Sequence, residues 1–336
     1  MNKENNQVNI VRFYETGDAN VLHIESVPRR ELKDHEVRIT VSAIGLNRAE
    51  LLFRQGKYYE KPIFPSNIGY EASGVVKELG AKVTMVKIGD RVSTMPAFSL
   101  VDYGVYGEET IVPETAVAAY PTNLTPQEGA SIWTSYLTAY GGLIGTGAMK
   151  YGDTVLVTAA TGSVGTAAIH IAKSEGNKVI ATTRSQDKKK FLEEAGADHV
   201  ILTESENQHQ RISEITNGNG VNVVFDPIAG DFLAISGDLC AQGATIVEYG
   251  HLHHQKPVFP LLSALAKGLT VRGFTTNEIW PNKEYLNRSI QYIYDKLKEG
   301  EFKPIIDREF AFKDIVKAHR YMESNEQKGK IVINVN

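Results

Sequence analysis

A chain of 336 residues with 36 Lys and Arg against 40 Asp and Glu, formal net charge −4, presents no cationic field for nucleic acid or an anionic membrane. It is long enough for two domains with good cores. Its one cysteine, Cys240, excludes disulfides within the chain and a four-cysteine zinc site, and fits a reducing compartment. The start, MNKENNQVNI, is polar and lacks the apolar stretch of a signal peptide, and no apolar run is long enough to span a bilayer. A soluble, cytoplasmic protein is expected.

From Val8 to about Tyr120, short runs such as residues 37–41 and 74–76 alternate with turns at Gly17-Asp18 and Gly89-Asp90. This pattern predicts a compact, mostly β domain, with residues 47–54 as its clearest short helix. Thr125-Pro126-Gln127-Glu128 then reads as a helix start: Thr125 as N-cap, Pro126 at the first position, Glu128 completing a capping box. A domain boundary is expected there. Up to Phe274, six strands (TVLVTA, KVIATT, HVIL, VNVVFDP, TIVEYG and LTVRGF) alternate with helices, which predicts a doubly wound parallel sheet, an α/β domain. The tail carries a helix over 283–300, another near 314–323, and a closing strand over 330–335.

The chain is organised around VLVTAATGSVGTAAIHIAK, residues 155–173. A buried strand turns through Ala159, Ala160, Thr161, Gly162, Ser163, Val164 and Gly165 into a helix, and a second strand and helix complete a βαβ unit. Gly162 lets the backbone approach a pyrophosphate, Gly165 lets the helix lie close on the strand, and the helix start offers free N–H groups to phosphate. Ala160 replaces the first glycine of G-x-G-x-x-G, and an ordinary ligand-free turn is the competing reading. NAD enzymes place an acid at the end of the second strand to hold the ribose 2′-hydroxyl. Here Thr183 stands there, Arg184 follows, and Lys188 comes a helical turn later, so a 2′-phosphate, and NADPH as cofactor, is expected.

A β domain preceding a dinucleotide-binding domain resembles the medium-chain dehydrogenase/reductase superfamily, and several motifs agree in order. Residues 41–47 (VSAIGLN) resemble its V-x-A-x-G-x-N, residues 54–58 (RQGKY) its R-x-G-x-Y, residues 69–76 (GYEASGVV) its G-x-E-x-x-G-x-V, and residues 89–92 its G-D-R-V. DPIAG and GATIVEYG resemble segments of its cofactor domain. The resemblance implies a GroES-like catalytic domain over 1–124, a Rossmann domain over 125–275, and a segment over 276–336 returning to the first. Zinc members place a cysteine and a histidine where this chain has Asn47 and Tyr70, and the four-cysteine structural lobe has no counterpart. The chain is thus similar to the zinc-independent quinone oxidoreductase and zinc-free alcohol-dehydrogenase-like branch, with no metal site.

Without zinc as Lewis acid, hydride transfer to a carbonyl or activated alkene needs hydrogen-bond donors and a proton source. Asn47 and Tyr70 stand where ligands would point inward, and Tyr58 matches the tyrosine lining the family's nicotinamide pocket. These three are the candidate catalytic residues; the competing readings are a turn amide and core rings. A second pocket tyrosine of quinone oxidoreductases falls at Leu52. Thr138, in a G-L-T-A-like segment, Gly250 and Phe274 at strand ends join residues 160–165, Thr183, Arg184 and Lys188 as candidate cofactor contacts. His251, His253 and His254 share a loop without an acidic or cysteine partner and read as a polar border rather than a metal site. Cys240 reads as a small buried residue. The expected activity is NADPH-dependent reduction of a small carbonyl, enone or quinone. Its rivals are reduction of a trans-2-enoyl thioester and a non-catalytic NADPH-binding sensor or crystallin-like protein. The resemblance also implies a homodimer joined through edge strands, residues 269–273 among them.

Overall fold

The computed structural model describes residues 6–253 and 255–335; residues 1–5, where the polar start begins, His254 and Asn336 lie outside the described residues. The chain forms two compact units, Met1–Thr134 with Lys303–Asn336, and Ser135–Phe302.

The first unit is built on the strand Glu36–Gly45, the longest in the chain. It pairs antiparallel with Glu71–Leu79, Glu109–Pro113 and the closing strand Lys330–Asn334. The sheet has seven strands, extended by Arg91–Thr94 and Val117–Ala119 on one side and Ile306–Ala311 on the other. Val37, Ile39, Val41 and Ile44 from the central strand pack with Phe13, Phe53, Ile68, Ile331 and Ile333 in one core. The alternation of β-branched residues that marked these runs is what lines that core. The short helix Arg48–Arg54 leaves the end of the central strand, starting from Asn47.

The capped segment Pro126–Gly129 is helical as read from its sequence, with Glu128 returning to the Thr125 N–H at 2.8 Å. The division between units comes later than that cap. Ser73 Oγ donates to the Pro126 carbonyl at 2.5 Å, Ser93 Oγ donates to Gly129 at 2.8 Å, and a Cβ on Gly45 would lie 1.8 Å from the Ala130 carbonyl. The helix is therefore bound to the first unit, which runs to Thr134 rather than 124. At the other end the helix Lys283–Lys298 joins the second unit through an aromatic cluster: Tyr292 meets Tyr140 and Phe302, and Phe302 stacks on Tyr136 at 5.2 Å. The second unit accordingly closes at Phe302, not 275.

In the second unit six parallel strands run in the order His199–Leu202, Lys178–Thr183, Thr154–Val157, Val221–Asp226, Cys240–Glu248, Thr270–Gly273. Their apolar runs are buried because helices cover both faces. The direction of sequence order reverses on either side of Thr154–Val157, the switch point at which open α/β sheets bind ligands beyond the carboxyl ends of their strands.

Candidate active site

At that switch point the chain leaves Val157 and enters the helix Ser163–Ser174 with Gly162 as its N-cap. Ala159 has φ 45°, a left-handed conformation that a side chain disfavours and that occurs where a turn is over-determined. The two motif glycines have different reasons. A Cβ on Gly165 would lie 2.5 Å from the Ala160 carbonyl oxygen, so the close helix–strand contact requires glycine. A Cβ on Gly162 would meet only the Ala159 carbonyl, at 3.9 Å, so nothing in the protein requires glycine there and its open face suits a pyrophosphate at the helix N-terminus. Ala160 is wholly buried and serves as the floor against which Gly165 packs, whereas Thr161, Ser163 and Val164 are half-buried.

The second strand ends at Thr183, which is nearly buried and whose Oγ1 accepts from Ser185 N–H at 3.4 Å. Arg184 is exposed, Lys188 is half-buried in the turn Gln186–Lys188, and Asp187, which accepts from Ser185 Oγ, belongs to the same turn. The helix after it begins at Lys189, one residue later than its sequence suggests. Thr138 lies half-buried on the helix Trp133–Tyr140. Gly250 is exposed and packs against Pro227. The Phe274 ring is buried over Gly141, where a Cβ would come within 2.1 Å, so its contribution at the strand edge is backbone only.

An acid pair that sequence reasoning missed sits at the same edge. Asp226 and Glu248 end neighbouring parallel strands in direct register. Asp226 is fully buried and accepts from Thr158 Oγ1, from Ala229 N–H at 2.6 Å and from Ile228 N–H. Those donors hold the turn where Ala229 takes φ 55°. Glu248 abuts Asp226, and burial first, then the Asp226 charge, pushes its carboxyl up to about 9. Asp226 already has three donors, whereas both Glu248 carboxyl oxygens are buried without a hydrogen-bond partner, so burial and the neighbouring charge favour the protonated form at Glu248. An acid inside the otherwise apolar run TIVEYG was the available signal.

In the first unit, the strand Lys330–Asn334 delivers a buried ammonium beside Asn47. Lys330 Nζ donates to Asn47 Oδ1 at 2.7 Å and to Glu71 Oε2 at 2.6 Å, with the lysine and glutamate side chains 1% and 0% exposed. Asn47 Nδ2 is engaged by the Gly45 carbonyl at 3.1 Å and by Glu50 Oε1 at 3.2 Å. Glu50, also fully buried, accepts from the N–H groups of Asn47 and Tyr70 and from the Tyr106 hydroxyl at 2.7 Å, yet desolvation still raises its carboxyl above the ordinary range. Asn47 is thereby corrected from a donor facing a substrate to the hub of a buried network, since both ends of its amide are occupied. The same network answers whether a metal fits: the oxygens of Asn47 and Glu71 already hold the ammonium, and Tyr70 turns to other partners. Zinc does not fit there. Among the described residues no group of three or more His, Cys, Asp or Glu could hold a metal; His251 Nε2 lies 3.0 Å from the Gln255 carbonyl, and His254 is outside the described residues.

The two tyrosines do come together. Tyr58 shares hydrogen bonds with Tyr70 and Tyr59, and the Tyr58 and Tyr59 rings stand 4.2 Å apart. Tyr70 is 4% exposed, rests on Phe98 at 5.4 Å, and its hydroxyl donates to Glu60 Oε2 at 3.4 Å. Burial, reinforced by the neighbouring phenols, holds both hydroxyls protonated far above neutral pH. Leu52 is half-buried against the same core. Cys240 is buried, and desolvation pushes its thiol up to about 12, as suits an inert core residue.

Comparison with known proteins agrees with this architecture. Residues 33–122 match the alcohol dehydrogenase GroES-like domain family and residues 163–291 the family described as zinc-binding dehydrogenase. A quinone oxidoreductase-like protein 2 homolog of Nematostella vectensis is 32% identical over 302 residues, covering 89% of this chain and 81% of that protein. The quinone oxidoreductase of Homo sapiens is 29% identical, with 96% of each chain covered. The crystal structure of Escherichia coli quinone oxidoreductase complexed with NADPH superposes with a TM-score of 0.88 at 26% identity, covering 97% of this chain and 100% of that one. With its GroES-like and Rossmann units in this order and a relative above 30% identity along most of its length, the chain belongs to the medium-chain dehydrogenase/reductase superfamily, in its quinone oxidoreductase-like branch.

Proposed function

We propose that this chain is an NADPH-dependent, zinc-independent oxidoreductase that reduces a small quinone, enone or carbonyl by hydride transfer, with the Tyr58–Tyr70 pair as proton source. Bound NADPH supplies the hydride. Residues 160–165 would cradle its pyrophosphate, Arg184 and Lys188 its 2′-phosphate, and Thr138, Thr183, Gly250 and the Phe274 backbone would border it. The observation that carries the metal-free reading is the Lys330 ammonium between Asn47 and Glu71, which occupies the donors a metal would need. Asn47 is then a positioning residue that ties the helix start at Glu50 to the ammonium. A phenol kept protonated by burial donates to a developing enolate or alkoxide without prior tuning.

The test is NADPH oxidation against a panel of quinones, enones, aldehydes and acyl thioesters, on protein assayed for zinc. Turnover of a quinone, enone or carbonyl without stoichiometric zinc supports the reading. One zinc per chain whose removal abolishes turnover overturns it. Faster reduction of an enoyl thioester moves the substrate class, and tight NADPH binding with no turnover leaves a sensor.

We further infer a cytoplasmic homodimer with no nucleic-acid partner. Supporting the dimer, Thr270–Gly273 is the last strand of its sheet, and the neighbouring helix Leu261–Lys267 exposes Leu261, Leu262 and Leu265. Among the described residues no helix is long and apolar enough to cross a membrane. Light scattering on the eluting protein checks the dimer.

A further inference from the structure

The phenol pair is buried, and a proton donor used once per turnover has to be reloaded. Tyr70 is 4% exposed, and Tyr58 is half-buried against the first unit's core. Burial makes a phenolate at either position costly, so the anion left by proton donation calls for a nearby replacement. Among the described residues, Glu60 is a carboxyl that bonds to this cluster. Its Oε2 accepts from the Tyr70 hydroxyl at 3.4 Å and from the Leu100 N–H at 3.1 Å, and the residue is half-buried rather than enclosed. Glu60 Oε2 thus meets the buried phenol while the residue itself stays half open to solvent. Tyr59, 56% exposed, also bonds to Tyr58 but adds a further phenol rather than a carboxyl.

We propose that Glu60 is the solvent-side end of a proton relay that runs from water through Glu60 and Tyr70 to Tyr58. The relay rests on the reading of the phenol pair as proton source. After hydride has reached the electrophile, the anionic oxygen or carbon takes the Tyr58 O–H proton, which leaves the Tyr58 oxygen with the electron pair. Tyr70 passes its proton to that oxygen, and a solvent hydronium gives a proton to the Glu60 carboxylate, leaving water, which Glu60 hands on to the Tyr70 oxygen so that every group returns to its starting form. One proton enters for each hydride delivered, so charge balances. Glu60 acts through the phenols and is a positioning and relay residue.

Glu60→Gln keeps a carbonyl oxygen for the Leu100 N–H but cannot exchange a proton with water at that site. With 1,4-benzoquinone and 3-penten-2-one as substrates, the turnover rate of Glu60→Gln under saturation is expected to fall about tenfold or more while KM and the Kd for NADPH hold, as general acid steps contribute on the order of 10²–10⁴. Added formate or acetate is expected to restore the rate in Glu60→Gln and leave the wild type unchanged, and Glu60→Asp to recover part of it. A readout free of cofactor is the ¹³Cζ resonance of labelled tyrosine: Glu60→Gln is expected to shift Tyr70 and, through the shared hydrogen bond, Tyr58. If Tyr58→Phe and Tyr70→Phe slow turnover but Glu60→Gln does not, or its loss is never restored by a carboxylic acid, the relay is wrong and the phenol reading stands. If neither phenol substitution slows turnover, the phenol reading falls and the relay with it.

Discussion

Glu248→Gln offers a direct test of the proton held by Glu248 at the strand ends. In the native protein Glu248 is raised from 4.5 to about 9, chiefly by burial and then by Asp226. Because the folded value lies above the unfolded one, the native state holds a proton that the unfolded chain has released throughout this interval. The pair's contribution to stability is therefore full below about pH 4.5 and is lost as pH rises toward about 9. One proton sets the steepest slope at roughly 1.4 kcal/mol per pH unit. Coupling to Asp226 spreads the titration over a wider pH range, which brings the expected mean slope nearer to roughly 0.5 kcal/mol per unit, or about 1.5 kcal/mol between pH 5 and 8. A glutamine amide donates to Asp226 without needing that proton, and Asp226 keeps Thr158, Ile228 and Ala229. The variant should therefore gain stability relative to wild type as pH rises, by roughly 3–6 °C in Tm across those three units for a domain of this size. Calorimetry of both proteins in matched buffers from pH 5 to 9 measures the difference. Parallel Tm curves would refute a proton held at Glu248.

Three further outcomes follow from the geometry. Arg184→Ala is expected to weaken NADPH by roughly 10- to 150-fold, the loss of one charged hydrogen bond, and to leave NADH nearly unchanged; calorimetric titration of both cofactors checks it, and equal weakening would remove the 2′-phosphate assignment. Lys330→Met strands Glu71 and Asn47 in the core and should cost about 3–5 kcal/mol in denaturant unfolding, with little change if the site instead admits water. Gly165→Ala drives a methyl into the Ala160 backbone and should lower Tm at a cost of about 1–3 kcal/mol, whereas Gly162→Ala should leave Tm unchanged and weaken NADPH, the opposite pattern being incompatible with the open face at Gly162.

The sheet of the second unit was legible because its inner strands are buried and so read as unbroken apolar runs. The glycine turn was legible because Gly165 answers a local steric demand of the Ala160 backbone, while Gly162 leaves the helix start open. Asn47 was not, because its partners Lys330, Glu50 and Glu71 are brought to it by strand pairing and by the folding of residues 47–71 onto themselves, and nothing in the spacing of 283 residues between Asn47 and Lys330 announces a hydrogen bond. The compact units close later than the expected domain bounds for a related reason: a capping box marks where a helix starts but not which core receives it, and Ser73, Ser93 and Gly45 bind this one to the first unit. Glu60 left no mark in the sequence beyond being one acid in a polar loop, since its role depends on Tyr70, ten residues on, turning toward it.

The burial of Cys240 makes the native protein its own labelling background. Its thiol is enclosed and held out of the thiolate form, and it is the only cysteine in the chain, so maleimide dyes will find no native target in the folded state. Cysteines introduced at Ile88, 68% exposed in the first unit, and Tyr151, 89% exposed in the second, can then be tagged without removing any wild-type residue from a core. Energy transfer between the two dyes, followed while NADPH is added, would then show whether the distance between the tags changes on binding.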